Sequence, residues 1–119
     1  MTDQTLETRK DLARTWFSAL QKDIIAELES LEDEVMPPLF HGEPGRFEMT
    51  PWARAKGPNG EDQGGGVMGL LKGRLFEKAG VHFSEVYGKF SEAFAAQIPG
   101  ADKSDGMFWA SGISLIVHP

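Results

Sequence analysis

Two adjacent prolines, Pro37-Pro38, divide this chain into two hydrophobic periods, and that division limits the folds open to it. Before them, Leu6, Ala13, Trp16, Phe17, Leu20, Ile24, Leu28, Leu31 and Val35 recur at helical steps. The spacing predicts one long amphipathic helix over residues 3–35, ended by the prolines. Thr2 or Asp3 can cap its start, and Asp3 and Glu7 suit the positive end of the helix dipole. Glu32-Asp33-Glu34 falls at the negative end, in mild conflict with the dipole. The stripe reads as a scaffold that covers a sheet. Its polar face is acidic, unlike the basic face of a calmodulin target or a membrane-surface helix.

After the prolines the period becomes two. Residues 37–46 are a Pro/Gly loop, and residues 47–52 read as a short strand, at an edge because of Pro51. Residues 56–66 read as a loop ending in Gly64-Gly65-Gly66. Residues 67–71 and 74–78 flank Lys72-Gly73 as a hairpin, and residues 81–87 are a further strand. Ser91 can cap a short helix over residues 92–98, before Pro99-Gly100. Residues 107–117 are the most apolar stretch and read as a buried strand. Hairpin-like connections dominate, so the expected class is α+β: an antiparallel sheet flanked by helices. The expected organisation is one domain over residues 1–119, with a helix over 3–35 and a sheet region over 47–119.

Charge narrows the function classes. The chain has 119 residues and a formal charge of −6. Most of the acid excess lies in residues 1–36, net −5, against net −1 for the remainder. Nucleic acid is not an expected partner, because binding it needs a basic face. A local basic pocket for an acidic ligand stays open. There is no Cys, which excludes disulfides, thiol catalysis and Cys-ligated metal, and fits a reducing compartment. No run of about 18 apolar residues predicts a membrane span, and no signal peptide is visible. A cytoplasmic location is expected.

Few residues point to chemistry by spacing alone. On the last strand, Phe108, Ala110, Gly112, Ser114, Ile116 and His118 share one face. Met107, Trp109, Ser111, Ile113, Leu115 and Val117 share the other, which reads as core. Ser114 and His118 lie roughly 13 Å apart along the strand. They are too far apart for a Ser–His nucleophile pair or one metal ion, but can touch different parts of one large ligand. The bland alternative is a solvent-facing Ser and a strand-end His. The glycine run precedes a strand and lacks a following Gly-Lys-Ser/Thr, so it is no phosphate loop. Glu77 and Lys78 point to opposite faces, and one of them is expected to face inward or toward a ligand. His41, His82 and His118 show no metal-ligand spacing.

Taken together, the motifs resemble a known family. They are Trp52-Ala53-Arg54, the glycine run, Phe76-Glu77-Lys78-Ala79-Gly80-Val81-His82-Phe83-Ser84, Gly88, and the stretch from Phe108 to His118-Pro119. In this order they are similar to the amino-terminal part of oxygen-dependent coproporphyrinogen III oxidases, from about residue 10 onward. The resemblance implies oxidative decarboxylation in haem synthesis. Two propionates of coproporphyrinogen III become vinyl groups, giving protoporphyrinogen IX, with molecular oxygen as co-substrate and no organic cofactor. It leaves a divalent metal open, and it implies a homodimer. It places a substrate-contacting Ser at Ser114 and a His sometimes assigned as a metal ligand at His118. Arg54 and Lys78 are the bases expected to meet substrate carboxylates. Three departures stand out. Residues 57–62 look inserted, His82 replaces the usual Asn, and the family's proton-donor His and further substrate contacts lie beyond residue 119. The chain alone is therefore expected to be inactive, with sheet edges open for pairing. The competing expectations are a non-catalytic tetrapyrrole-binding or oxidase-pairing module, and a plain structural α+β domain.

Overall fold

The structure, a computed structural model, describes residues 4–119. Helix α1 spans Gln4–Glu34 and contains neither Gly nor Pro. The proposed caps at Thr2 and Asp3 lie outside the described residues. Four strands follow: β1 (Glu48–Ala53), β2 (Gly64–Leu71), β3 (Lys78–Lys89) and, after the short helix α2 (Glu92–Ala95), β4 (Met107–His118). They form one antiparallel sheet in the order β1-β2-β3-β4. The α+β expectation holds, as does an edge position for the proline-bearing β1. Ser91 caps α2, its hydroxyl accepting from Phe94 N–H, but the helix stops at Ala95 rather than residue 98.

Helix α1 lies on one sheet face and uses its apolar stripe in part: Ala13, Phe17, Leu20, Ile24 and Leu28 are half-buried. Residues next to the stripe, at positions 14, 21, 25 and 32, join Leu28 in reaching the sheet. Arg14 forks onto Glu85 of β3. Gln21, only 3% exposed, donates to the carbonyls of Val67 and Val81 at 2.9 and 3.0 Å. Ile25 abuts Gly69. Leu28 packs on the small core of Leu71, Phe76 and Ala79. Trp16 and Leu31, both in the apolar stripe, stay exposed.

Glu32 resolves the charge conflict at the end of α1. Its side chain is fully buried, and it accepts four backbone N–H groups: Gly45 at 2.7 Å, Arg74 at 2.8 Å, Leu75 at 2.8 Å and Phe76 at 2.9 Å. Burial alone would push this carboxyl up, but the four donors outweigh it and hold the carboxyl below the usual glutamate range. The same contacts correct the expected hairpin. Residues 74–77 are not a strand, because the N–H groups of Arg74, Leu75 and Phe76 bond the carboxylate instead of a ladder. The β2–β3 connection is a loop over residues 72–77, and a side chain at Gly73 would run into the Glu32 carboxylate.

Two further expectations change. The glycine run is not loop but the start of β2, where Gly66 pairs with Trp52 on one side and Ser84 on the other. A Cβ at Gly66 would collide with the Phe83 carbonyl, so glycine here admits close strand approach. Strand β4 is not buried. It is the second edge, and Leu115, Ile116 and Val117 are 50%, 54% and 37% exposed.

Candidate functional site

Strand register decides which side chains share the face opposite α1. Across β3 and β4 the pairs on that face are Lys78 with His118, Gly80 with Ile116, His82 with Ser114, Ser84 with Gly112 and Val86 with Ala110. Strand β2 adds Gly66, Met68 and Leu70 beside Ser84, His82 and Gly80. One central row, Gly66-Ser84-Gly112, is floored by glycine and serine, and the row beside it carries Met68, His82 and Ser114. A small-residue floor lets a flat ligand approach the sheet backbone.

At one end a cavity of about 350 Å³ opens between Leu70, Lys78, Gly80, His82, Ile116 and His118, with Lys72 at its rim. Two lysines and two histidines line it, and no Asp or Glu does. A protein of net charge −6 therefore keeps one locally basic, apolar-walled pocket. That combination suits a carboxylate on an apolar body. A larger cavity, about 600 Å³, lies near the start of α1, but its charges already serve one another. There Lys10 pairs with Glu7 at 3.2 Å and Arg14 with Glu85, and Glu85 also accepts from Trp109 Nε1 at 2.9 Å. Arg14 first, then Trp109, holds the Glu85 carboxyl below its usual range.

The sequence-derived residues divide by position. Lys78 and His118 line the pocket as direct cross-strand partners. Ser114 lies on the same face four residues from His118, beside His82. Arg54 is elsewhere. It stands over the Phe108 ring, 5.8 Å from the centroid, and donates to the Tyr87 carbonyl at 3.2 Å. Tyr87 and Lys78 are nine residues apart on β3, roughly 30 Å. Among the described residues no cluster of three His, Asp or Glu could hold a metal ion, so His118 belongs to no such cluster there. Spacing missed Lys72, because the hairpin reading put it in a two-residue turn. It also gave His82 no role, although alternation from Lys78 through Gly80 already carried that signal.

Residues 13–119 match the family described as coproporphyrinogen III oxidase. The chain is 43% identical over 109 residues to the oxygen-dependent coproporphyrinogen-III oxidase of Rickettsia bellii (strain RML369-C). It is 42% identical to the protein of that name from Rickettsia felis and 41% to that from Rickettsia akari, each over 109 residues. Each alignment covers 92% of this chain and 36% of the relative. The chain thus spans about a third of the length of the curated relatives it matches. No solved structure matches it.

Proposed function

Because the chain belongs to the coproporphyrinogen III oxidase family, we propose that it forms the amino-terminal, substrate-binding part of an oxygen-dependent coproporphyrinogen III oxidase. The reaction would be oxidative decarboxylation of two propionates to vinyl groups, giving protoporphyrinogen IX. Each arm loses carbon dioxide and two electrons, and molecular oxygen accepts the electrons. No organic cofactor is proposed. The working form would be a cytoplasmic homodimer, organised as one domain over residues 1–119 within a longer protein.

The observation that carries this reading is the basic pocket at the edge of a small-residue sheet face. Lys78, with Lys72 near it, would hold a propionate by charge-assisted hydrogen bonds. Ser114 would contact the macrocycle about 13 Å from His118. The pocket is small, so the tetrapyrrole would lie across the glycine and serine floor with one edge seated between Lys78 and His118. Arg54 would meet only a carboxylate arm at the far end of the sheet. No step is assigned to a metal, because His118 belongs to no cluster of three metal-ligating side chains among the described residues.

The chain alone would bind without turning over. The resemblance places the family's proton-donor His outside these residues, and no proton-donor role is proposed for the groups at this pocket. A fluorescence titration with coproporphyrin III, the stable oxidised tetracarboxylate, tests the reading. The unchanged chain should bind, Lys78→Ala should weaken binding about tenfold, and no protoporphyrinogen should form from coproporphyrinogen III. Equal affinity in Lys78→Ala, or turnover by the chain alone, would contradict it. The open β4 edge favours a second reading, a non-catalytic module that pairs with another oxidase chain through that edge.

A further inference from the structure

We infer that His82 is a ligand-contacting residue of the basic pocket, its imidazole turning away from Gly80 to donate a hydrogen bond to a carboxylate arm of the bound tetrapyrrole. This rests on the reading above and adds a residue to it. Three observations converge on the ring. His82 Nδ1 is buried and has no hydrogen-bond partner, the only side-chain atom so left among the described residues. Buried polar groups are normally paired, so an orphan needs an explanation. The ring also lies folded back along β3 over Gly80, where an added Cβ would stand 2.7 Å from Nε2 and 3.2 Å from Cε1. Glycine at position 80 therefore leaves room for this ring position, which an added side chain would displace. Finally, His82 is the cross-strand partner of Ser114 and shares the pocket wall with Lys78 and His118.

These facts describe a ring at rest rather than a ring in use. A change of side-chain torsion, an ordinary and rapid motion, carries an imidazole N–H from Gly80 toward the open face. No carboxylate lines the pocket, so a carboxylate brought by the ligand is the charged acceptor that fits there. An arm held by Lys78 would present that acceptor between Ser114 and His118.

The test compares the unchanged chain with His82→Phe, which keeps an aromatic ring and removes both nitrogens. Coproporphyrin III fluorescence reads affinity, and thermal melting reads stability. His82→Phe should weaken binding about tenfold. Its Tm should be equal or higher, because removing an unpaired buried polar atom sacrifices no native hydrogen bond. Undiminished affinity in His82→Phe overturns this inference and leaves the pocket reading standing. A fall in Tm that accompanies the loss of affinity assigns His82 a structural role and also overturns it. No binding by the unchanged chain overturns both. If His82→Phe fails to fold by circular dichroism, His82→Leu carries the same comparison with the same outcomes.

Discussion

A carboxylate cut off from water needs compensation from the protein around it, and Glu32 receives it from four backbone N–H groups. Removing the acceptor would strand four donors in the interior. We expect Glu32→Ala to cost about 3 kcal/mol or more, read as a lowered midpoint in urea. Because the folded carboxyl titrates below its ordinary value, the unfolded chain takes up this proton first as the pH falls. The stabilisation is therefore fully present above about pH 4.3 and is lost as pH drops through the depressed folded value. Glu32→Gln should flatten that acid limb. Part of it should remain, since Glu85 and Asp62 are also held low, Glu85 chiefly by Arg14 and Asp62 chiefly by the N–H of Gly64. An acid limb unchanged in Glu32→Gln would contradict the assignment. From sequence, Glu32 looked like a misplaced charge, because a dipole argument sees only the helix end and not the loop folded onto it.

Elements were legible where the pattern was local. The long helix, the edge character of β1 and the cap at Ser91 follow from periodicity, Pro51 and capping chemistry. What failed needed partners distant in sequence. Gln21 bonds carbonyls 46 and 60 residues away, so a buried polar side chain joins the apolar stripe on the sheet-facing side of the helix. The second strand of the expected hairpin, over 74–78, begins only at Lys78, because Glu32, more than 40 residues upstream, takes the N–H groups of Arg74, Leu75 and Phe76. The apolar run over β4 read as interior because hydrophobicity does not say which strand ends a sheet. The candidate site shows the same split. Alternation placed Ser114 and His118 on one face, but bringing Lys78 and His82 beside them required the β3–β4 register. A 12-residue edge strand with half-exposed Leu115 and Ile116 is a template for pairing. Sedimentation should show the chain self-associating, and Leu115→Lys should shift it toward monomer. A monomer at high concentration would argue against an open edge.

At the scale of the whole molecule, two quantities say that these residues do not close on themselves. The radius of gyration is 18.8 Å, against roughly 13–14 Å for a compact chain of this length. The accessible surface is 8375 Å², against about 6,400 Å² for a globular protein of this mass. The difference, about 2,000 Å², exceeds what one partner contributes to a standard interface. Exposed apolar side chains include Leu115, Ile116 and Val117 of β4, Trp16 and Leu31 of α1, and Leu70 beside the pocket. The central claim is that the sheet face opposite α1 receives the tetrapyrrole. The most direct test is to follow backbone amide shifts of the isotope-labelled chain during titration with coproporphyrin III. Shifts concentrated at Lys78 to His82 and Gly112 to His118 are predicted. Shifts gathered around Arg14, Glu85 and Trp109, or none at saturating ligand, would contradict the account.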